Sequence, residues 1–294
     1  MTHAGRNLLC IMVAACAVSI APMAASTALA GPSEVFRGPG GVVGLLYQSG
    51  TGAPPSGAVL VVNDALGMDM RSQRYIDRLA AADLLVLEVE LRPNPPDGWP
   101  EPLPSEAEAA DLVGRAAAAL AGDPRVNPDR VGALGFGIGA RAVALALADG
   151  RDPFAARVLL YPGCKGLGEG VGAPEHAAAA VRSPVLLLHG EDDPANPLAE
   201  CEGLSVALRR TASVRRLSYR GATYGWDVSQ WSEGEHSSQP WPGGQGTVAV
   251  RPWPELAELT AAHAAAFLAN TLSREASAAG RGKASIHPIR RGFQ

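Results

Sequence analysis

The sequence predicts an α/β fold in which helices cover both faces of a mostly parallel sheet. Short Leu- and Val-rich runs alternate with Ala-rich helical runs along the chain after residue 30. Hydrophobic residues make up 47% of the chain and charged residues 18%, a balance that excludes an intrinsically disordered protein. No internal repeat and no long linker divides the alternating region, so we expect one domain over residues 31–272.

The first half of this domain is predicted to hold three strands and two helices. Uninterrupted apolar runs indicate buried strands at residues 58–63, 84–90 and 131–134. Apolar side chains at helical spacing predict a helix over residues 71–82. Ser105 and Glu108 form a capping-box pattern, which predicts a second helix that begins there and ends near residue 121.

The second half continues the alternation. Helices are predicted at residues 138–148, 197–211 and 254–272, and strands at 157–161, 184–188 and 214–219. Residues 230–246 are rich in Ser, Gly, Pro and Trp, which favours an inserted loop. Because the working sites of parallel sheets lie beyond the carboxyl ends of the strands, we expect functional residues just after them.

The N-terminus has the pattern of an export signal over residues 1–30. Arg6 precedes an apolar stretch from residue 8 to about residue 23, and Ala28-Leu29-Ala30 fits a cleavage site. We therefore expect a periplasmic or secreted protein with no membrane span after cleavage. A lipobox-like pattern that ends at Cys16 leaves open a lipoprotein anchored at that residue.

Two cysteines, Cys164 and Cys201, remain once the signal has been removed. Cysteines of exported proteins usually pair, and both residues follow predicted strands, so we expect a disulfide between them. Two buried free thiols are the alternative. No two histidines stand at ligand spacing and these cysteines are far apart in sequence, so no metal site is predicted.

The charge distribution argues against a nucleic-acid partner. The net charge is −4, and residues 273–294 carry more Arg and Lys than acidic residues, so the body of the chain is more acidic than the total. The short basic tail is predicted to be disordered. No protein partner can be named from the sequence.

The junction between the strand at 131–134 and the next helix has the frame of a nucleophile elbow. In that motif small residues flank the nucleophile because the helix packs closely on the strand. The segment Gly135-Phe136-Gly137-Ile138-Gly139 has those small residues, but Gly137 stands where the nucleophile belongs. Glycine has neither a hydroxyl nor a thiol.

Further motifs accompany this elbow: Asn63-Asp64-Ala65-Leu66-Gly67, Gly190-x-x-Asp193-x-x-x-Pro197 and Tyr219-x-Gly-Ala-x-Tyr224-x-Trp226. Together they resemble the dienelactone hydrolase family over about residues 42–269. The resemblance implies an α/β-hydrolase fold, a Cys or Ser nucleophile with an Asp and a His, and hydrolysis of lactones and other carboxylic esters without a cofactor. Position by position, Gly137 replaces the nucleophile, Asp193 keeps the acid, and Tyr224 replaces the histidine.

These replacements favour a protein that has lost its catalysis. A tyrosine with a pKa near 10 is a poor proton acceptor at neutral pH. The backbone N–H of Ile138 and one from Ala65 or Leu66 are expected to remain as oxyanion donors. Our hypothesis is an exported, catalytically degenerate protein that binds a small ester, lactone or carboxylate.

The alternative is an active carboxylic-ester or lactone hydrolase. It would use a nucleophile or base from elsewhere, or a water molecule activated by Asp193 or His236. His236 lies in the inserted loop and is the candidate substitute base. Cys164 is a relocated nucleophile only if it is not paired.

Each candidate residue also has a structural interpretation. Gly137 relaxes a strained elbow, Asp193 holds a turn, and His189 packs at the end of a strand. Tyr224 donates its hydroxyl to Asp193 and fills the space of the lost imidazole. Asp64 either binds the ligand or caps the turn that follows it.

A second enzyme class fits the same glycines. Gly135-x-Gly137-x-x-Ala140 matches a dinucleotide-binding fingerprint between a strand and a helix. The acidic ribose ligand expected about 20 residues further on is absent from residues 157–163. The fingerprint also follows the third predicted strand rather than the first. We therefore expect no dinucleotide cofactor.

Overall fold

The computed structural model describes residues 31–273 except 32, 53, 66, 92–101, 173–180, 229–237 and 244. The predicted signal, Leu66, His236 and residues 274–294 of the predicted tail lie outside the described residues. Within those described, no helix is long and apolar enough to cross a membrane. The same residues contain no group of His, Cys, Asp and Glu side chains arranged to hold a metal ion.

Within the described residues, the main sheet has eight strands in the order β1-β2-β4-β3-β5-β6-β7-β8. Strands β3 to β8 pair in parallel, whereas β1 and β2 form an antiparallel edge. A separate antiparallel pair joins β9, inside the predicted inserted loop, to β10, which follows directly after that loop. The strands are β1 Glu34–Arg37, β2 Val43–Tyr47, β3 Gly57–Val62, β4 Leu84–Val89, β5 Val131–Phe136, β6 Ala156–Leu160, β7 Val185–Gly190, β8 Val214–Tyr219, β9 Ser238–Pro240 and β10 Thr247–Ala249.

Helices cover both faces of the sheet, as the sequence predicts. They are α1 Met70–Ala81, α2 Glu106–Ala121, α3 Ile138–Leu145, α4 Leu167–Gly172, α5 Leu198–Leu208 and α6 Pro254–Leu272. Helices α1 and α6 bury their apolar sides in one hydrophobic cluster, and α2, α3 and α5 bury theirs in another. The two clusters lie on opposite faces because side chains alternate along each strand. The α/β prediction is confirmed.

The local predictions from the sequence were confirmed in part. Ser105 and Glu108 form the predicted capping box at the start of α2. The helix predicted over 138–148 is too long: α3 ends at Leu145, since Ala146 is extended and Ala148 pairs with Arg151 across a turn. The edge strands β1 and β2 have no clear signal in the sequence because they are short and partly exposed.

The predicted disulfide is present. Cys164, in the loop after β6, is bonded to Cys201 in the first turn of α5 with an S–S distance of 2.05 Å. Both cysteines are buried. The bond ties the ends of two neighbouring strand-to-helix units together at the carboxyl edge of the sheet.

Candidate active site

The backbone of the elbow keeps the geometry that a nucleophile would need. Gly137 joins β5 to α3 with φ 50° and ψ −115°, a strained left-handed conformation. A Cβ on Gly135 would lie 2.5 Å from Ala140 Cα, and one on Gly139 would lie 2.4 Å from the carbonyl oxygen of Asn63. The flanking glycines are therefore required by the close approach of α3 to β3 and β5.

The space above Gly137 is filled by two other side chains. A Cβ on Gly137 would lie 1.8 Å from Tyr224 Oη and 2.4 Å from Asp64 Oδ1. These distances are far shorter than any non-bonded contact. No side chain of any kind fits at position 137 while Tyr224 and Asp64 stay where they are.

Asp64 also occupies the oxyanion donors. Its buried carboxylate accepts through Oδ1 from the backbone N–H of Ala65 (2.8 Å) and of Ile138 (3.1 Å). Through Oδ2 it accepts from Tyr224 Oη (2.6 Å) and Arg71 Nη1 (3.2 Å). The donors at Ala65 and Ile138 that the sequence analysis assigned to a ligand are thus engaged within the chain.

Arg71, in the first turn of α1, was not identified by the sequence analysis. Its guanidinium is completely buried, pairs with Asp64, and also donates from Nη2 to Asp69 Oδ2 at 2.7 Å. Asp69 caps α1 by accepting from the Arg71 backbone N–H at 2.9 Å. Asp69 before a helix is a visible capping signal, but an Arg at that point usually faces solvent.

Gln239 of β9 completes the cluster that Asp64, Arg71 and Tyr224 form. With its amide oriented to satisfy both neighbours, Nε2 donates to Asp64 Oδ2 (2.7 Å) and Oε1 accepts from Arg71 Nη2 (3.2 Å). Asp64 then accepts from five donors, which saturates a carboxylate. The predicted inserted loop therefore contributes a buried side chain to the centre.

A second buried carboxylate extends this network below Arg71. Asp227 accepts from Tyr161 Oη at 2.6 Å and from Tyr75 Oη at 2.7 Å. Burial and the neighbouring Asp227 raise the pKa of both tyrosines well above the ordinary value. Both phenols are therefore neutral donors rather than proton acceptors.

The expected partner of Tyr224 is corrected by the structure: its hydroxyl donates to Asp64, not to Asp193. The phenol is longer than an imidazole and reaches across the space above Gly137. Burial and the adjacent Asp64 carboxylate raise the pKa of Tyr224 well above its usual value. The residue in the base position is thus a neutral hydrogen-bond donor.

Asp193, in the acid position, holds the turn after β7. Its carboxylate accepts from the backbone N–H of Ala195 (2.9 Å) and from Asn196 Nδ2 (2.7 Å). Asn196 in turn accepts from the N–H groups of Gly163 (2.9 Å) and Cys164 (3.2 Å). Burial raises the pKa of Asp193 to about 6, although the hydrogen bonds oppose that shift.

His189, on β7, packs within the fold as its structural interpretation expects. Its Nε2 lies 3.1 Å from Arg216 Nη1, and because a guanidinium only donates, this nitrogen accepts. The ring Nδ1 then donates to the carbonyl oxygen of Gly190 at 3.2 Å. Burial lowers the pKa of His189, so the ring is neutral and fully engaged.

Residues 101–239 match the model of the dienelactone hydrolase family. Over these residues the chain is similar to that family. The matched region contains the elbow, Asp193 and Tyr224, whereas Asp64 and Arg71 precede it. No curated protein matches the chain significantly in sequence.

Solved structures share the α/β-hydrolase fold. A putative dienelactone hydrolase from Klebsiella pneumoniae is 20% identical, with a TM-score of 0.54 over 66% of this chain and 88% of the other. The dienelactone hydrolase-like promiscuous phosphotriesterase P91 from metagenomic libraries is 20% identical, with a TM-score of 0.59 over 82% and 98%. Est1E from Butyrivibrio proteoclasticus is 12% identical, with a TM-score of 0.56 over 82% and 99%. At these identities the likeness concerns the fold.

Proposed function

We propose that this protein is an exported, catalytically degenerate member of the dienelactone hydrolase family. One observation carries the proposal: Asp64 and Tyr224 occupy both the oxyanion donors and the space that a nucleophile side chain would need above Gly137. The replacement of the nucleophile by Gly137 and of the histidine by Tyr224 agrees with this packing, because Tyr224 and Asp64 fill the space that a nucleophile side chain would need.

Acyl transfer needs a nucleophile, a base, and donors free to receive the developing oxyanion. The elbow supplies no nucleophile, and Tyr224 is a neutral donor. An ester carbonyl or a ligand carboxylate at this point would have to displace Asp64 from two backbone donors and from Arg71. Separating a buried ion pair costs roughly 3–5 kcal/mol.

The geometry supports an active hydrolase less well. A water molecule activated by Asp193 would need a free carboxylate oxygen near the elbow, and both oxygens of Asp193 accept from its own turn. Cys164 is paired and is not a relocated nucleophile.

Two further features support export. The chain begins with a segment typical of a cleaved signal, and its two remaining cysteines are bonded. Mass spectrometry of the protein expressed with its full N-terminus should find cleavage after Ala30 in the exported fraction. Lipid attached at Cys16 would contradict cleavage after Ala30, and an intact N-terminus would contradict export.

The decisive assay measures turnover of small aryl esters and lactones by the full chain. We expect no turnover above the rate of a matched Asp193→Asn variant. Native turnover well above background that is lost in Asp193→Asn would overturn the proposal.

A second set of variants tests the reason for inactivity. Gly137→Cys with Tyr224→His restores a nucleophile and a base but leaves Asp64 on the oxyanion donors. We expect activity to rise only when Asp64→Ala is added. If the double variant is as active as the triple variant, Asp64 does not block the donors.

A further inference from the structure

A cavity that is separate from the cluster of Asp64, Tyr224 and Arg71 lies beside the first two turns of α3. It has a volume of about 500 Å³ and opens between the start of α2, helix α3 and the β9–β10 pair. Ligand pockets in proteins typically have volumes of roughly 300–1,000 Å³. Among the described residues, Gly137, Asp64, Tyr224 and Asp193 do not line this cavity.

One positive charge is fixed in the wall of this cavity. The Arg141 side chain is only 7% exposed, and its Nη1 donates to the carbonyl oxygens of Gly163 and Lys165. Its Nε donates to Glu106. Within the described part of the chain, Arg141 Nη2 has no hydrogen-bond partner. The guanidinium is therefore held in position by backbone, and Glu106 uses only the Nε half of the edge formed by Nε and Nη2.

The Glu106 carboxylate, which now bonds Arg141 Nε, is only weakly held there. Glu106 is the first residue of α2 and its side chain is 51% exposed. An ion pair with an exposed partner typically contributes about 1 kcal/mol or less. A ligand carboxylate that bonds both Nε and Nη2 would make the stronger, bidentate interaction. The positive end of the α2 dipole favours an anion at the same place.

The rest of the wall is apolar. Its lining includes Leu103, Pro104, Ile138, Pro240 and the indole of Trp241. Such a wall excludes water from a ring or a short aliphatic body but offers little to a polar one. A fixed positive charge together with apolar lining residues selects for amphipathic anions.

We propose that this cavity binds a small monocarboxylate with an aromatic or aliphatic body. The carboxylate bonds Arg141 Nε and Nη2 in place of Glu106, and the body packs against Trp241. This proposal goes beyond the loss of hydrolysis and does not depend on it, because the side chains that seal the elbow are not part of the cavity.

The test is isothermal titration of the signal-free protein with benzoate, and with benzyl alcohol as the neutral analogue. We expect benzoate to bind and benzyl alcohol not to. Glu106→Gln removes the competing carboxylate and should tighten benzoate binding about threefold, consistent with an exposed ion pair. Asp111→Asn is the matched control, because Asp111 is exposed on the same helix and pairs with Arg115 instead.

Trp241→Ala should weaken benzoate binding about tenfold through the loss of apolar contact. Partial unfolding cannot explain a gain of affinity, so Glu106→Gln remains informative even if Trp241→Ala is unstable. The proposal is overturned if benzoate binds neither the native protein nor folded Glu106→Gln. It is also overturned if benzyl alcohol binds equally well, or if Glu106→Gln leaves the benzoate affinity unchanged.

Discussion

The elbow after β5 and the turn after β7 depart from the hydrolase pattern in opposite ways. At the elbow Gly137 has a positive φ and no reactive side chain. At the turn the acidic side chain of Asp193 is kept, but it no longer faces a base. Under the proposed assignment, one site keeps its geometry without its chemistry, and the other keeps the chemical group without its role.

The difference has a physical cause in packing. Gly135 and Gly139 bring α3 into direct contact with β3 and β5, so the elbow conformation follows from the core whether or not a nucleophile is present. The Asp193 carboxylate satisfies the turn that leads, through Asn196, to the Cys164 loop. Both features therefore have a structural cause that does not require catalysis.

Arg71→Met should have the largest effect, a loss of about 4 kcal/mol in the free energy of unfolding. The variant leaves the buried Asp64 carboxylate without its counter-ion. Arg78→Met on the same helix is the control, since its pair with Glu258 is exposed and should cost less than about 1 kcal/mol. Urea denaturation measures both. Equal losses of the free energy of unfolding in the two variants would show that the fold does not depend on the ion pair between Arg71 and Asp64.

Gly137→Ala should cost about 3 kcal/mol, because overpacking against Tyr224 and Asp64 adds to the strain of a positive φ. Gly150→Ala is the matched control, with φ 69° and no atom within 4 Å of the added Cβ. It should cost only about 1 kcal/mol. If the two variants lose the same stability, the space above Gly137 is not filled in solution.

Asp193→Asn should flatten the pH dependence of stability by about 2 kcal/mol between about pH 4.5 and about pH 7. In the folded chain the pKa of Asp193 is raised to about 6, against roughly 3.9 when unfolded. The folded state binds more protons in that window, so native stability falls as the pH rises through it. Denaturation series at several pH values for both proteins measure the difference. Parallel pH profiles would contradict the effect of burial on Asp193.

Tyr224→Phe should have the smallest effect, about 1.5 kcal/mol, because Arg71 and Gln239 still bond Asp64 Oδ2. Combined with Gly137→Ala it should cost less than the sum of the two single changes, since the clashing hydroxyl is absent. A double-mutant cycle in urea measures this coupling. Additive losses would place the Tyr224 hydroxyl away from position 137.

Much of the fold could be predicted because its signals are local. The strand at residues 214–219 and the helix at 254–272 have the predicted bounds, and the Ser105 capping box is formed. The end of α3 was harder to predict from the sequence. Ala146 and Leu147 have helical propensity, but tertiary packing turns the chain there.

The sequence by itself determined the alternating fold and the absence of a reactive group at Gly137, and it predicted the pairing of Cys164 with Cys201 without deciding it. Only the tertiary structure decided that Asp64, Arg71, Tyr224 and Gln239 meet above that glycine. These residues come from four separate segments, and each has an ordinary local role as a turn, helix, motif or loop residue. Periodicity and spacing report local conformation and burial, whereas the meeting of distant polar side chains depends on how the strands are ordered and how the loops cross their ends.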